Sequence, residues 1–198
     1  MVNKEIQEER MRSYFIDSAK EILKGEGLKN ISVRNIAERA GYSYATLYNY
    51  FKDVKDLIFE CVKDFQDECT TLVQKDSKKA EQGFQKIKVI TQSYMKYFVQ
   101  YPGIFELFYI EKTNEIAGKK QPTVEMIYSF LDRLCEEEWN YLTENNLITI
   151  DEKELMSSSL RYTVLGILIL YLTRKHPANY KEFLKISEIQ INNILKIK

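Results

Sequence analysis

The chain has 198 residues, enough for one large domain or two small ones with a proper core. Lysine plus arginine and aspartate plus glutamate number 29 each. Overall charge therefore draws the chain toward no particular partner, and a nucleic-acid binder of this kind needs a local patch instead. Seven glycines and three prolines punctuate a sequence rich in Leu, Ile, Lys and Glu, a composition that suits an all-α protein. Cys61, Cys69 and Cys135 are odd in number and lack C-x-x-C spacing. That argues against structural disulfides and zinc sites and for a reducing cytoplasm. The opening MVNKEIQEERMRSYF is too charged for a secretory signal.

A first helix is expected from about Lys4 to Lys24, because Phe15, Ala19, Ile22 and Leu23 follow the i, i+4, i+7, i+8 spacing of one buried face. Gly25-Glu26-Gly27 ends it, since glycine takes the left-handed conformation without a Cβ clash. Ser32 suits the N-cap of a short helix, VRNIAERA, with Val33, Ile36, Ala37 and Ala40 on one side and Gly41 at its end. Ser43 caps a third helix whose inward face is Leu47 and Phe51. Asp53 caps a long fourth helix with Val54, Leu57, Ile58, Cys61, Val62 and Phe65 on its apolar side, interrupted by the charged run Gln74 to Gly83.

Five more helices are expected beyond Phe84, about nine in all. One carries Ile87, Ile90, Tyr94 and Phe98 and stops at Pro102-Gly103; a short one, IFELFYIEK, follows. The polar loop TNEIAGKKQP leads to a helix from Val124 to Thr143, and the last two run from Glu152 to Arg174 and from Tyr180 to Lys196. The most apolar run, Tyr162 to Thr173, is too short to span a membrane, which needs roughly 18 apolar residues. It reads as a buried helix.

The segment GYSYATLYNYF, Gly41 to Phe51, is the most informative one. Tyr42, Tyr44, Tyr48 and Tyr50 nearly alternate, as in a strand. A strand, however, leaves Leu47 and Phe51 without a consistent face, whereas a helix places Tyr44 and Tyr48 on a common side at i, i+4. Two short helices joined by a glycine turn then form a helix-turn-helix, whose second helix can enter the major groove.

ISVRNIAERAGYSYATLYNYFKDVKDLI resembles the N-terminal signature of the tetracycline-repressor (TetR) family of bacterial regulators. The matching residues are Val33, Arg34, Ile36, Ala37, Ala40, Gly41, Ser43, Thr46, Leu47, Tyr48, Tyr50, Phe51, Lys55 and Leu57. Ser32 stands where the family has threonine, Tyr42 where valine is usual, and Ala45 where glycine is usual. Tyr42 is the bulkiest departure and could press on the backbone or on DNA. The resemblance implies a DNA-binding domain over residues 1–65 and a helical ligand-binding and dimerisation domain over 66–198.

It also implies roles. Ser32 and Arg34 would meet phosphate, with Arg34 in range of a base; Ser43, Tyr48, Tyr50 and Lys55 would hold phosphates. Tyr44, Ala45, Thr46 and Asn49 are candidates for base edges, Asn49 toward adenine and the methyls toward thymine. Tyr42 completes the DNA set at the turn. Core packing for Tyr48 and solvent for Tyr50 stay open as alternatives. Between Gly25 and Asp56, Lys29, Arg34, Arg39, Lys52 and Lys55 face Glu26, Glu38, Asp53 and Asp56, so the basic excess is small.

Seven aromatics crowd Tyr94 to Tyr109. The family places its effector pocket in this part, and Phe98, Phe105, Phe108, Tyr109, Tyr128 and Tyr162 form a candidate ligand set. For any one of them ordinary core packing is the competing reading. The last two helices resemble the family's dimerisation pair, with Gly166 allowing close approach. Catalysis has little support: His176, the only histidine, precedes Pro177, and Glu136 to Glu138 reads as a solvated face. The expectation is a cytoplasmic regulator, a repressor and not an enzyme. It would use no cofactor or metal, bind a palindromic double-stranded operator as a homodimer, and be released by a small-molecule effector without a membrane partner. The alternative is a helical module that binds a small molecule or a partner helix with no working DNA head.

Overall fold

The computed structural model describes residues 2–110 and 121–197, with side chains for 4–110 and 125–197; most of the expected polar loop lies outside them. The helices are α1 (Val2–Gly25), α2 (Val33–Ala40), α3 (Tyr44–Tyr48), α4 (Val54–Ser77), α5 (Phe84–Gln100), α6 (Pro102–Phe105), α7 (Gln121–Tyr128), α8 (Phe130–Leu134), α9 (Glu136–Glu144), α10 (Ile150–Arg174) and α11 (Tyr180–Leu195). They divide into two compact units: Met1–Asp67 with Tyr101–Ile127, and Glu68–Gln100 with Tyr128–Lys198. The protein is all-α, an N-terminal helix-turn-helix followed by helical bundle elements.

In the first unit the expected faces close on one another. Phe15, Ala19, Ile22 and Leu23 of α1, Ile36 and Ala37 of α2, Leu47 of α3, and Leu57, Cys61 and Phe65 of α4 are all buried. Each fully buried Leu, Ile or Phe among them contributes roughly 1.5–3 kcal/mol. The end of α1 is made by Glu26 and Gly27, whose amides both donate to the Ile22 carbonyl at 2.8 and 3.0 Å. Gly27 (φ 80°) is the residue that enters the left-handed region. The first turn of α6 then comes against this end. A Cβ on Gly103 would sit 2.3 Å from the Leu23 carbonyl oxygen, so the two backbones touch where any side chain would collide.

In the second unit, Ile87, Ile90, Tyr94 and Phe98 of α5 are buried as their spacing demands, with Trp139 of α9 and the α11 stripe Phe183, Ser187, Ile191 and Leu195. Tyr94 meets Phe98 edge-on at 4.9 Å and Phe130 at 5.8 Å. Glu138 is buried, accepting from the Gly83 amide at 2.7 Å and from Lys86 at 2.5 Å. That local arrangement corrects the expectation of a solvated face across Glu136 to Glu138: two of the three are exposed, and the third anchors the start of α5. The three thiols are buried and unbridged; burial pushes Cys69 up to about 12 and raises Cys61 and Cys135 as well.

Two helix expectations need revision. The helix read from Val124 to Thr143 is three pieces, because Ser129 (ψ 3°) and Cys135 (ψ 0°) leave the ψ of about −42° that continues an α-helix. At Cys135 the amide is shared between the Leu131 and Asp132 carbonyls, each at 3.2 Å, a bond split between α and 3₁₀ partners. The segment read as one helix in IFELFYIEK is α6 followed by a π turn over Glu106–Ile110, which buries Leu107 and Phe108.

The membrane argument also changes. The apolar run Tyr162 to Thr173 lies inside a helix of 25 residues, and α10 as a whole is long and apolar enough to cross a membrane by length and composition. Its residues Met156, Leu160, Val164 and Leu168 are buried at a strict four-residue spacing, as on a helix laid against a core. Thr149 and Glu152 close its N-terminus as a capping box, and Arg161 pairs with Asp132 of α8. Only 22% of its most apolar window is buried, so much of the apolar surface is presented outward.

Candidate nucleic-acid interface

Ser32 is extended (φ −151°, ψ 154°), and its hydroxyl oxygen accepts the Asn35 amide at 3.1 Å, which starts α2. The helix stops at Gly41, left-handed at φ 79°, ψ 22°, where the Tyr42 amide reaches back to the Ala37 carbonyl at 2.9 Å. One residue later Ser43 is again extended, accepts the Thr46 amide at 3.1 Å and starts α3. Its hydroxyl also bonds the Thr46 hydroxyl at 2.9 Å. Two capped starts and one left-handed glycine thus fix the angle between α2 and α3.

The buried side of α3 is Leu47, followed by Phe51 just beyond its end. Its other side is Tyr44, Ala45, Tyr48 and Asn49, all exposed. Thr46 is half-buried and engaged with the Ser43 cap. Ser32 and Arg34 are exposed at the start of α2, while Lys55 is half-buried in the first turn of α4. Tyr50 is half-buried with its ring 6.1 Å from Phe15. Tyr42 lies 5.7 Å from Phe15 on one side and stacks with Tyr14 on the other.

Two residues of α1 bear on this surface without having stood out in the sequence. Arg12 donates to the Tyr50 carbonyl at 2.5 Å and lies 4.3 Å from the centre of the Phe51 ring, tying the end of the motif to α1. Tyr14 is the stacking partner of Tyr42. The periodicity that marks Phe15 as buried places both on neighbouring faces of α1, but only the fold says what they meet. The positive charge is thin as well. Between Gly25 and Asp56, Arg39 is bound to Glu26 and lies 3.8 Å from Glu21, which leaves Lys29, Arg34 and Lys52 exposed; Lys4 and Arg10 of α1 are exposed as well.

The six aromatics of the candidate ligand set fall in different places. Phe105 and Phe108 are buried in the first unit beside Tyr109, at 5.2 and 6.0 Å, and the Tyr109 hydroxyl donates to the Ile127 carbonyl at 3.3 Å. Phe98 is buried in the second unit among Tyr94 and Tyr97, whereas Tyr128 and Tyr162 are exposed. The second unit also has two grooves of about 340 Å³. One is bounded by Met95, Tyr180, Phe183 and Leu184, the other by Val73, Ile90, Lys86, Arg133 and Glu138. None of the six aromatics lines either groove.

Residues 15–61, which hold α2, α3 and the start of α4, match the family model of the bacterial regulatory proteins of the tetR family. Over that segment the chain is similar to the tetR family. Among curated proteins it is similar to an uncharacterized HTH-type transcriptional regulator of Haemophilus influenzae, 24% identical over 132 residues. That match covers 66% of this chain and 64% of the relative, so it spans somewhat less than two thirds of the relative's length. Among solved structures, a TetR family transcription regulator from Marinobacter aquaeolei superposes with a TM-score of 0.64 at 15% identity, covering 99% of this chain and 97% of that one. RolR, solved with resorcinol, gives 0.65 at 17% identity over 96% and 88%. The fatty acid degradation regulator FadR from Bacillus halodurans gives 0.62 at 16% identity over 93% and 94%. These three structures share the fold of this chain.

Proposed function

We propose that the chain is a cytoplasmic transcriptional repressor. As a homodimer it binds a palindromic operator in duplex DNA and leaves it when a small molecule enters the helical part. The observation that carries this reading is α3 itself: a capped helix with Leu47 anchored in the core and Tyr44, Ala45, Tyr48 and Asn49 directed to solvent. An exposed face of this kind, at the second helix of a helix-turn-helix, suits base edges in the major groove. Ser43, Tyr48, Tyr50 and Lys55, with Ser32 and Arg34, supply phosphate contacts that set its register.

The dimer is supported by the outward surface of α10 and α11. Leu155, Tyr162, Ile169 and Leu170 on α10 are exposed, as are Ile186 and Ile189 on α11. A Cβ on Gly166 would meet nothing within 4 Å in the single chain, which leaves room for a second helix to approach. Two heads on one dimer would read half-sites about 34–36 Å apart. An effector that binds one conformation better shifts the population toward it, and release follows when the heads no longer match that spacing. One relative in fold, RolR, was solved with resorcinol, which supports a small-molecule effector as the type of signal.

The test is enrichment of a duplex from a random-sequence library by the full-length chain, followed by binding of that duplex. Tyr44→Ala and Asn49→Ala should each lose roughly tenfold or more in affinity, with relaxed sequence preference. An enriched duplex whose binding ignored both changes would refute the assignment of α3 as the reading helix.

A further inference from the structure

Tyr42 and Tyr14 are held differently from the other exposed tyrosines of the head. The Tyr42 ring rests against Phe15, which is fully buried, with 5.7 Å between centroids. Its other neighbour, Tyr14, lies at 6.3 Å with the two planes 29° apart. Both rings nevertheless reach solvent, Tyr14 being 52% and Tyr42 38% exposed. Such a pair presents two phenol groups already ordered, so little rotamer freedom remains to be lost on binding. The pair adjoins Ser43, the residue that starts α3, and one of its members comes from α1.

Position selects the ligand chemistry. When the N-terminal part of a reading helix enters the major groove, the elements flanking it lie over the strand backbone. A tyrosine hydroxyl there donates to a phosphate oxygen without carrying charge. Neutral donors of this kind add to the contacts open to the exposed cations of the head, Lys4, Arg10, Lys29, Arg34 and Lys52 among them, while Arg39 is engaged by Glu26.

We propose that Tyr14 and Tyr42 form an uncharged clamp on a backbone phosphate of duplex DNA, flanking the bases read by α3. The proposal rests on the DNA-binding function above and adds a residue of α1 to it. It has a consequence for salt. Lysine and arginine contacts release counterions and steepen the fall of affinity with salt, whereas hydroxyl contacts release none. The clamp therefore contributes affinity that persists as ionic strength rises.

The probe is the duplex that the full-length wild-type chain enriches from a random library, compared with an unrelated duplex of equal length. Failure to enrich any duplex overturns the DNA-binding reading and the clamp with it. With an enriched duplex in hand and Tyr44→Ala destroying its preference, the reading stands and the clamp is tested alone. Tyr14→Phe and Tyr42→Phe keep both rings and their stacking and remove one hydroxyl each. Each should weaken binding roughly three- to tenfold, equally on both duplexes and with the salt slope unchanged. Arg34→Gln, by contrast, should lower the slope by about one. Tyr14→Phe binding within roughly twofold of wild type overturns the clamp. So does a loss confined to the enriched duplex, since that is the signature of a base contact.

Discussion

Gly103→Ala adds a single methyl group where α6 meets the end of α1. The added Cβ would stand 2.3 Å from the Leu23 carbonyl oxygen and 3.0 Å from the Gly27 Cα, both main-chain atoms. Ordinary carbon contacts lie near 3.5–4.0 Å, so α6 must back away by about 1 Å or the end of α1 must distort. Overpacking of this size costs about 1–3 kcal/mol, and the obstacle here is backbone rather than a side chain that can rotate aside. Against it, alanine in a helix is better than glycine by about 1 kcal/mol, although α6 is one turn long and gains less. The balance is a loss of about 1–2 kcal/mol. At about 2–4 °C per kcal/mol for a chain of this size, that lowers Tm by roughly 2–8 °C. The assay is thermal unfolding followed by far-UV circular dichroism, with Gly25→Ala as the control, since a Cβ there meets nothing within 4 Å. A Gly103→Ala protein melting at or above wild type would refute the claim that the two backbones are in contact.

Two further outcomes follow from the second unit. Glu138→Ala removes the acceptor of the Gly83 amide and the partner of Lys86, leaving a buried donor and a largely covered cation unmatched. It should cost about 2–4 kcal/mol in a denaturant titration, while Glu138→Gln, which keeps an acceptor, should cost less. Glu152 is held below the usual glutamate range first by the Thr149 amide it accepts, then by Lys196. Its folded value is depressed, so its stabilising contribution is present at neutral pH and disappears as pH falls through the lowered value. Glu152→Gln should lower stability at neutral pH slightly and remove that part of the acid sensitivity, so that variant and wild type converge at acid pH, as read by helicity across an acid titration.

Local chemistry made the helix-turn-helix legible. Ser32 and Ser43 are side chains that start helices wherever they are extended, Gly41 is the residue that tolerates φ 79°, and Leu47 and Phe51 are four residues apart. Those signals act within a few residues, so the sequence carries them whole. The tyrosines of GYSYATLYNYF misled only as long as their alternation was read without the caps. What was not legible depends on distant partners. Nothing near Cys135 announces that its amide will be shared and the helix broken there, and nothing in GEG announces that Gly103 will abut it. Tyr14 was silent for the same reason: its meaning lies in a ring 28 positions away. The aromatic run Tyr94 to Tyr109 had the opposite fault, since residues that pack a core and residues that line a pocket have the same composition.

Charge and apolar surface in this chain bear on the same requirement. Nonspecific attraction to DNA grows with the number of phosphates neutralised, and over residues 1–65 the 11 basic side chains are matched by 11 acidic ones. A single head of this kind would bind weakly, and neutral donors such as serine and tyrosine hydroxyls would supply position more than strength. Joining two heads makes the second contact intramolecular, which raises affinity without any new charge. A joining surface must then be sizeable and apolar, and α10 presents one: Leu155, Tyr162, Ile169 and Leu170 lie outside the stripe that packs on its own core. The same composition that makes α10 resemble a membrane span by length thus has a use in water, provided a second copy covers it. On this argument the near-neutral head and the outward apolar helix are linked, and a variant that stayed monomeric would lose duplex binding with every residue of α3 intact.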